Sequence, residues 1–359
     1  MIPRRLHALL AGAALMVLVT PPAFGQTQAV SKASTPVPRT ADGKPSLEGF
    51  WDFRTLTPLQ RPASLADKSF LTEDEARNLQ EQNTARRARA AAPSDVNAAP
   101  RQPGGGGRAV GGYNDFWLDG GVTVVGDRRT SLIVDPPDGR LPSVRPGAPQ
   151  QVGSLMEDLP LQRPIRVLSA GTRAEGPEDR GLAERCLVGF NAGPPIQPSG
   201  YNNQLGLFQS SDVVAILNEM NHDVRIVPLD GRPTLPGTVR QWAGSSRGRW
   251  EGDTLVVKTT NFTDKTASFN AGVLNAYGSG TTLTLTERFT RVDRDTLLYE
   301  FTVDDPVTFT RSFTVAVPMR RSDQPVYEYA CHEGNYGLLS IMRGARAEEA
   351  GQSANAPNR

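Results

Sequence analysis

TTLTLTERFTRVDRDTLLYEFTV, residues 281–303, is the stretch of sequence that decides the fold. It contains two runs rich in β-branched and aromatic residues, 281–290 and 296–303, with Asp293-Arg294-Asp295 in the turn between them. Such residues favour β-strands, and a short polar turn between two strands is typical of an antiparallel hairpin. We therefore predict two paired antiparallel strands here.

The same pattern extends to both sides of this hairpin. Similar runs, separated by turns that contain Asp, Gly, Pro or Asn, occur at residues 130–134, 205–209, 213–220, 224–227, 254–260, 308–317 and 326–331. Gly49-Phe50-Trp51 also resembles the first strand of lipocalin-like barrels. Strands at short, regular spacing favour a meander. We predict a mainly β fold, an antiparallel meander that forms a lipocalin-like barrel or a sandwich, with long Pro/Gly-rich loops.

One helix is predicted, at about residues 72–91, on the surface of the N-terminal part. Thr72 and Glu75 have the spacing of a capping box, and the apolar stripe that follows is thin. Residues 92–112 are rich in Ala, Pro and Gly, which indicates a flexible linker. We expect an extended N-terminal region at 26–112, a β domain at 113–347 and a disordered tail at 348–359.

The first 25 residues have the features of an export signal. Arg4 and Arg5 precede an apolar run at residues 9–19, and small residues stand at Ala23 and Gly25. The run is too short for a good membrane span. We predict a cleaved signal peptide at 1–25 and a periplasmic or secreted mature protein with no membrane span; an uncleaved anchor is the alternative.

The net charge and the cysteine content indicate which classes of partner and which cellular compartment to expect. The formal net charge is +1, which gives no electrostatic case for nucleic acid or for an anionic membrane surface. Cys186 and Cys331 are the two cysteines. In an oxidising compartment such a pair predicts one disulfide, and two separate buried thiols are the alternative. A disulfide would hold the residues after Cys331 near the loop after Cys186.

Two histidines remain after the signal peptide, and each lies beside a carboxylate. Histidine is suited to proton transfer near neutral pH, and an adjacent carboxylate orients the ring. The candidate catalytic residues are therefore His222, Asp223, His332 and Glu333. The alternatives without chemistry are a buried core histidine at 222 and a simple C-terminal turn at 332.

The sequence around His222 is compatible with two backbone geometries. On one continuous strand, Glu219 and Arg225 would share a face, with His222 on the opposite, apolar face. With a turn at Asn221-His222, the histidine would lie at a loop tip. We take Glu219 and Arg225 as candidate ligand-binding residues; the alternative is that they pair with each other or across strands.

Two further residues are candidates for ligand binding. Trp250 ends an Arg- and Trp-containing stretch, 241–250, that is suited to stacking and forked hydrogen bonds with an anionic or sugar-like ligand. A solvated hairpin surface is the alternative. Asn335 lies in the polar cluster that follows Cys331. No recognisable spacing of metal ligands, nucleotide-binding loop or nucleophile elbow is present, so we predict no metal and no cofactor. A zinc or iron site built from His222, His332 and a carboxylate is the alternative.

Four motifs together resemble those of a family of secreted bacterial proteins. They are RTSLIVDPPDGR (129–140), EMNHDVRIVPLDGR (219–232), GRWEGDTLVV (248–257) and YACHEGNYG (329–337). The resemblance implies export and no particular activity. The first functional hypothesis is a protein that binds a small, partly apolar molecule inside the barrel. The alternatives are a periplasmic hydrolase, lyase or isomerase that uses the two histidines, and a structural envelope protein. The oligomeric state is open.

Overall fold

The computed structural model describes residues 36–91, 118–152, 174–272 and 275–354. The predicted signal peptide, the predicted linker at 92–112 and residues 355–359 of the predicted tail lie outside the described residues.

The described chain is mainly β, and its strands pair in the antiparallel sense, as predicted. The strands are β1 (Gly49–Asp52), β2 (Ile133–Asp135), β3 (Gln150–Val152), β4 (Gln204–Gln209), β5 (Val213–Asn218), β6 (Val224–Pro228), β7 (Ser245–Glu251), β8 (Thr254–Thr260), β9 (Phe269–Asn270), β10 (Asn275–Tyr277), β11 (Thr284–Arg291), β12 (Thr296–Asp304) and β13 (Phe313–Ser322). The main sheet has the order β6-β5-β4-β1-β13-β12-β11-β8-β7, and β2 pairs with β13 beside this path. A small second sheet has the order β3-β10-β9.

The two end strands of the main sheet, β6 and β7, lie beside each other. Val227 and Leu229 pack over Gly248, where an added Cβ would lie 2.5 Å from Leu229 Cδ2. Within the described residues no backbone ladder joins β6 to β7, so the sheet is not closed there. The arrangement fits a sandwich-like fold.

Large side chains fill the space that the sheet encloses. Successive side chains of a strand point to opposite faces, so one face of β11 and β12 is buried and the other is partly exposed. Among the side chains with almost no exposed surface are Trp51, Phe289, Tyr299, Phe301 and Phe313. The indole Nε1 of Trp51 donates to Leu47 O at 2.9 Å, which satisfies its polar atom inside the core.

Parts of the predicted strand pattern differ from the structure. Residues 326–331 form no strand, because the disulfide, not a backbone ladder, ties this segment down. The run predicted at 308–317 is shifted to β13, because Asp305 Oδ1 accepts from the amides of Val307 and Thr308 and makes a turn there. β1 lies between β4 and β13, so the region expected outside the β domain supplies a central strand.

The described residues form two α-helices, where one was predicted. α1 (Glu73–Ala91) has the expected capping box, since Glu75 N donates to Thr72 Oγ1 and Thr72 N donates to a Glu75 carboxylate oxygen. α2 (Tyr336–Ala354) includes residues 348–354, which we expected to be disordered. Its Ala, Arg and Glu residues favour a helix even without a buried stripe. Within the described residues, neither helix is long and apolar enough to cross a membrane.

Candidate functional site

His222 lies at the tip of a turn between β5 and β6. Asn221 and His222 have φ values of 59° and 44°, so the chain reverses direction here and a continuous strand through 219–225 is wrong. The His222 side chain is exposed and does not point into the core. Of the two geometries open from the sequence, the loop tip is the one observed.

The two carboxyl groups that flank this turn both have raised pKa values. Burial raises the pKa of Asp223 to about 6, while the neighbouring His222 lowers it. Burial also raises the pKa of Glu219, and hydrogen bonds from the backbones of Gln204 and Tyr327 oppose this shift. Within the described chain the His222 imidazole has no hydrogen-bond partner, so no carboxylate orients the ring.

His332 and Glu333 lie in an exposed turn that precedes α2. The predicted disulfide between Cys186 and Cys331 is present, with a Cα–Cα distance of 5.8 Å. Asn335 Nδ2 donates to Glu184 O at 3.3 Å, so this candidate ligand residue binds the protein's own backbone. No hydrogen bond to the His332 imidazole is found among the described residues.

Both histidine turns border one loop, at residues 182–191. The disulfide attaches the second turn to this loop at Cys186. The first turn touches it through Met220, whose Cγ would lie 2.6 Å from a Cβ added at Gly189. The structure thus brings the two turns to the same part of the molecule, but it leaves both rings exposed and without a carboxylate partner there.

Arg225 points into the core, where Glu287 binds it. Arg225 Nη2 donates to Glu287 Oε1 at 2.8 Å, and Nη1 contacts the other carboxylate oxygen. Tyr299 Oη donates to Glu287 Oε1 at 2.8 Å and accepts from Ile196 N at 3.1 Å. Burial and the nearby Glu287 raise the pKa of Tyr299. Arg225 is therefore committed to a buried network and is not open to a ligand.

Trp250 lies at the margin of the core. Its ring is partly buried, and Lys44 Nζ lies 5.8 Å from the ring centroid. The neighbouring Arg249 pairs with Glu251, which also accepts from Arg288 at 3.0 Å. These contacts describe a hairpin surface whose polar groups bind one another.

A cleft of about 390 Å³ lies beside β1 and β13, and none of the residues predicted as site residues lines it. We call it the β13 cleft. It is lined by Asp52, Arg54, Thr55, Arg87, Asp119, Gly121, Val122, Thr123, Val124, Val125, Gly126, Thr296, Pro318, Met319 and Arg320.

The β13 cleft lies where one edge of β13 changes its partner strand. This edge pairs with β2 at Val315 and with β1 from Arg320 onward. Ala316 N donates to Leu132 O at 2.9 Å, and backbone groups two residues apart on a strand point to the same edge. The carbonyl of Pro318 therefore faces the gap, and because proline has no N–H, no donor is left unpaired there.

The charged side of the cleft is a network of two aspartates and two arginines. Arg54 Nε donates to Asp52 at 2.8 Å, and Arg54 also contacts Asp119. Arg87 Nη2 lies 3.5 Å from Asp119 Oδ1 and donates to Leu118 O at 2.6 Å. The hydrogen bonds that Arg54 donates to Asp52 are the main cause of a raised Arg54 pKa. Both carboxylates are therefore paired.

Arg320 is the remaining charge of the β13 cleft. It stands directly opposite Asp52 in the β1–β13 register, yet Asp52 is bound by Arg54. The Arg320 side chain is exposed and makes no salt bridge to any described residue. This cluster could not be predicted from sequence patterns, because its charges come from four distant segments of the chain.

No group of three or more His, Cys, Asp or Glu side chains that could hold a metal ion occurs in the part of the chain that the structure describes. Comparison with known proteins gave no match to a protein-family model, to a curated protein or to a solved structure. The resemblance of the four motifs to a family of secreted bacterial proteins therefore stays a prediction.

Proposed function

We propose that this is an exported protein that binds a small, partly apolar molecule, and that the molecule lies in the β13 cleft. The observation that carries the proposal is the cleft itself. Its volume of about 390 Å³ falls in the range of roughly 300–1,000 Å³ that is usual for small-molecule sites. Val122 and Pro318 supply apolar surface, and the charged network supplies polar groups that fix an orientation.

The cleft replaces the sheet interior as the expected place of binding. The interior is occupied by aromatic side chains such as Trp51, Phe289 and Phe301, which have at most a trace of exposed surface. Protein cores packed in this way leave no room for a ligand without large rearrangement. A ligand at the gap beside Pro318 requires no such change.

The cleft also favours binding over acid–base catalysis. Asp52 and Asp119 are its carboxylates, and both are held by arginines. A general base needs a lone pair within reach of a substrate proton. The histidines do not line the cleft, so its described residues offer recognition chemistry.

Two broader features belong to the same proposal. The disulfide between Cys186 and Cys331 supports an oxidising compartment, and we propose the periplasm or the exterior of the cell. The adjacent position of β6 and β7 supports a lipocalin-like barrel with an unpaired seam. The cleft opens on the outside of this sheet.

A thermal-shift screen of small molecules tests the proposal with a blocked variant and a matched control. Val122 lines the cleft and is 39% exposed, whereas Val134 is 40% exposed and lies outside the cleft. A bound compound should raise the melting temperature of the wild type and of Val134→Trp, but not of Val122→Trp. Equal stabilisation of all three proteins would place the binding site elsewhere.

One observation favours a second function, acid–base chemistry at the His222 turn. Asp223, next to the exposed His222, has a pKa of about 6, which is close to the pH at which a general acid or base works best. A panel of ester, amide and lactone substrates tests it. Turnover that is lost in Asp223→Asn and kept in Val122→Trp would favour this function, and unchanged turnover in Asp223→Asn would exclude this role for the turn.

A further inference from the structure

We infer that the ligand of the β13 cleft carries a carboxylate on an apolar body, and that Arg320 binds this carboxylate. The inference rests on the proposed function and adds the chemical class of the ligand. It is carried by the charges of the cleft and by the register of β1 and β13.

The charges that line the cleft do not balance. Asp52 and Asp119 contribute two negative charges, and Arg54, Arg87 and Arg320 contribute three positive charges, so the lining has a net charge of +1. The arginines at 54 and 87 hold the two aspartates. The excess charge is therefore located at Arg320.

The register explains why Arg320 has no carboxylate of its own. Directly opposed residues of opposite charge on neighbouring antiparallel strands usually pair, and Asp52 is the residue opposite Arg320. However, Arg54 donates to Asp52 from its backbone N at 2.9 Å, from Nε at 2.8 Å and from Nη2 at 2.6 Å. Arg54 thus occupies the carboxylate that Arg320 would otherwise bind.

A free guanidinium in a cleft selects for a particular partner. Its planar, forked donors match a carboxylate, which accepts two parallel hydrogen bonds. An ammonium group in the same position would meet the positive charge of Arg320 and two aspartates that are already paired with arginines. The cleft therefore favours an anion over a cation.

The apolar side chains of the cleft determine what kind of body the carboxylate ligand carries. Pro318 lies two residues before Arg320 on β13, and Val122 lines the same cleft. These side chains offer apolar contact and no charge. A small carboxylic acid with an aliphatic or aromatic body satisfies both sides of the cleft.

Three matched compounds test the inference: 4-phenylbutyrate, 4-phenylbutyramide and 4-phenylbutylamine. A hexyl and an octyl chain are tested in the same way, each as the carboxylate, the amide and the amine. Binding to the full mature protein is measured by ligand-observed NMR and calorimetry. At least one carboxylate should bind, about tenfold or more tightly than its amide, and the amine should bind most weakly. A bidentate charged pair of this kind is worth on the order of tenfold or more.

Two variants assign the effect to Arg320. Arg320→Gln should reduce the preference for carboxylate over amide to about unity. Arg321→Gln removes the same charge from the next residue, whose side chain lies over Gly49 outside the cleft, and should keep the preference. Both side chains are exposed, so we expect both variants to fold.

The outcomes separate this inference from the proposed function. Equal binding of carboxylate and amide to the wild type, or an unchanged preference in Arg320→Gln, overturns the inference. The proposed function survives these results if Val122→Trp still abolishes binding. Failure of every carboxylate to bind also overturns the inference, and the unbiased thermal-shift screen then decides the proposed function alone.

Discussion

At the scale of single residues, the buried contact between Arg225 and Glu287 is the most consequential feature of the core. Glu287 alternates with Leu285 and Phe289, so the period of two along β11 already placed a carboxylate among inward-facing residues. That signal was present in the sequence and pointed to a buried partner. The partner, Arg225, could not be predicted, because 62 residues separate the two.

Glu287→Gln should lower the free energy of unfolding by about 3–5 kcal/mol, because it leaves the buried guanidinium of Arg225 without a counter-charge. The paired replacement Arg225→Met with Glu287→Leu should lose less, since it buries no charge. Urea unfolding of the three proteins gives the comparison. A Glu287→Gln variant as stable as the wild type would show that the pair is not a coupled unit.

Asp223 makes stability depend on pH in a direction that can be measured. Its carboxyl has a pKa of about 6 in the folded protein against an ordinary value of 3.8, so the folded state holds the proton more tightly. The free energy of unfolding should therefore fall as the pH rises from about 4 to 6, and remain lower above 6.

Asp223→Asn should weaken this dependence and raise the stability at pH 8 relative to the wild type by about 1–2 kcal/mol, given the partial exposure of the group. Unfolding curves at pH 4, 6 and 8 measure the effect. Parallel pH profiles for wild type and variant would contradict the burial of this carboxyl group.

At the scale of elements, the sequence predicted the hairpin of β11 and β12 best. β11 and β12 lie where the 281–303 stretch indicated, because Asp293 and its neighbours close the hairpin locally. β13 begins later than predicted and runs through Pro318, which is tolerated since its edge position faces the gap between β2 and β1. Which strand edge a proline faces depends on how the strands pair in the folded protein. The periodicity of the sequence carries no information about that pairing.

The contact between β6 and β7 gives a prediction for one element. An added Cβ at Gly248 would lie 2.5 Å from Leu229 Cδ2 and 2.9 Å from Val227 Cγ1, so Gly248→Ala should destabilise by about 1–3 kcal/mol. Gly237→Ala is the control, because nothing lies within 4 Å of a Cβ at that position. Thermal unfolding compares the two. If both variants behave alike, the two end strands do not pack as described.

At the scale of the whole molecule, the candidate site arises from an interruption in the sheet. β13 leaves β2 before it meets β1, and the gap between these partners opens into the β13 cleft. Residues from α1, from the segment 119–126 and from β1 converge there. Sequence patterns pointed to the histidines as site residues, because an imidazole can be recognised as a candidate acid or base from its residue type alone. The cleft could not be predicted, because folding brings its charged residues together from distant parts of the chain.

Amide hydrogen exchange, measured with and without a compound found in the screen, tests the central claim most directly. Binding in the β13 cleft should slow exchange at residues 52–55, 119–126 and 319–321, since these segments line the cleft or adjoin it. Slowed exchange confined to residues 219–224 and 329–335, with the cleft segments unchanged, would contradict the claim and place the ligand at the histidine turns.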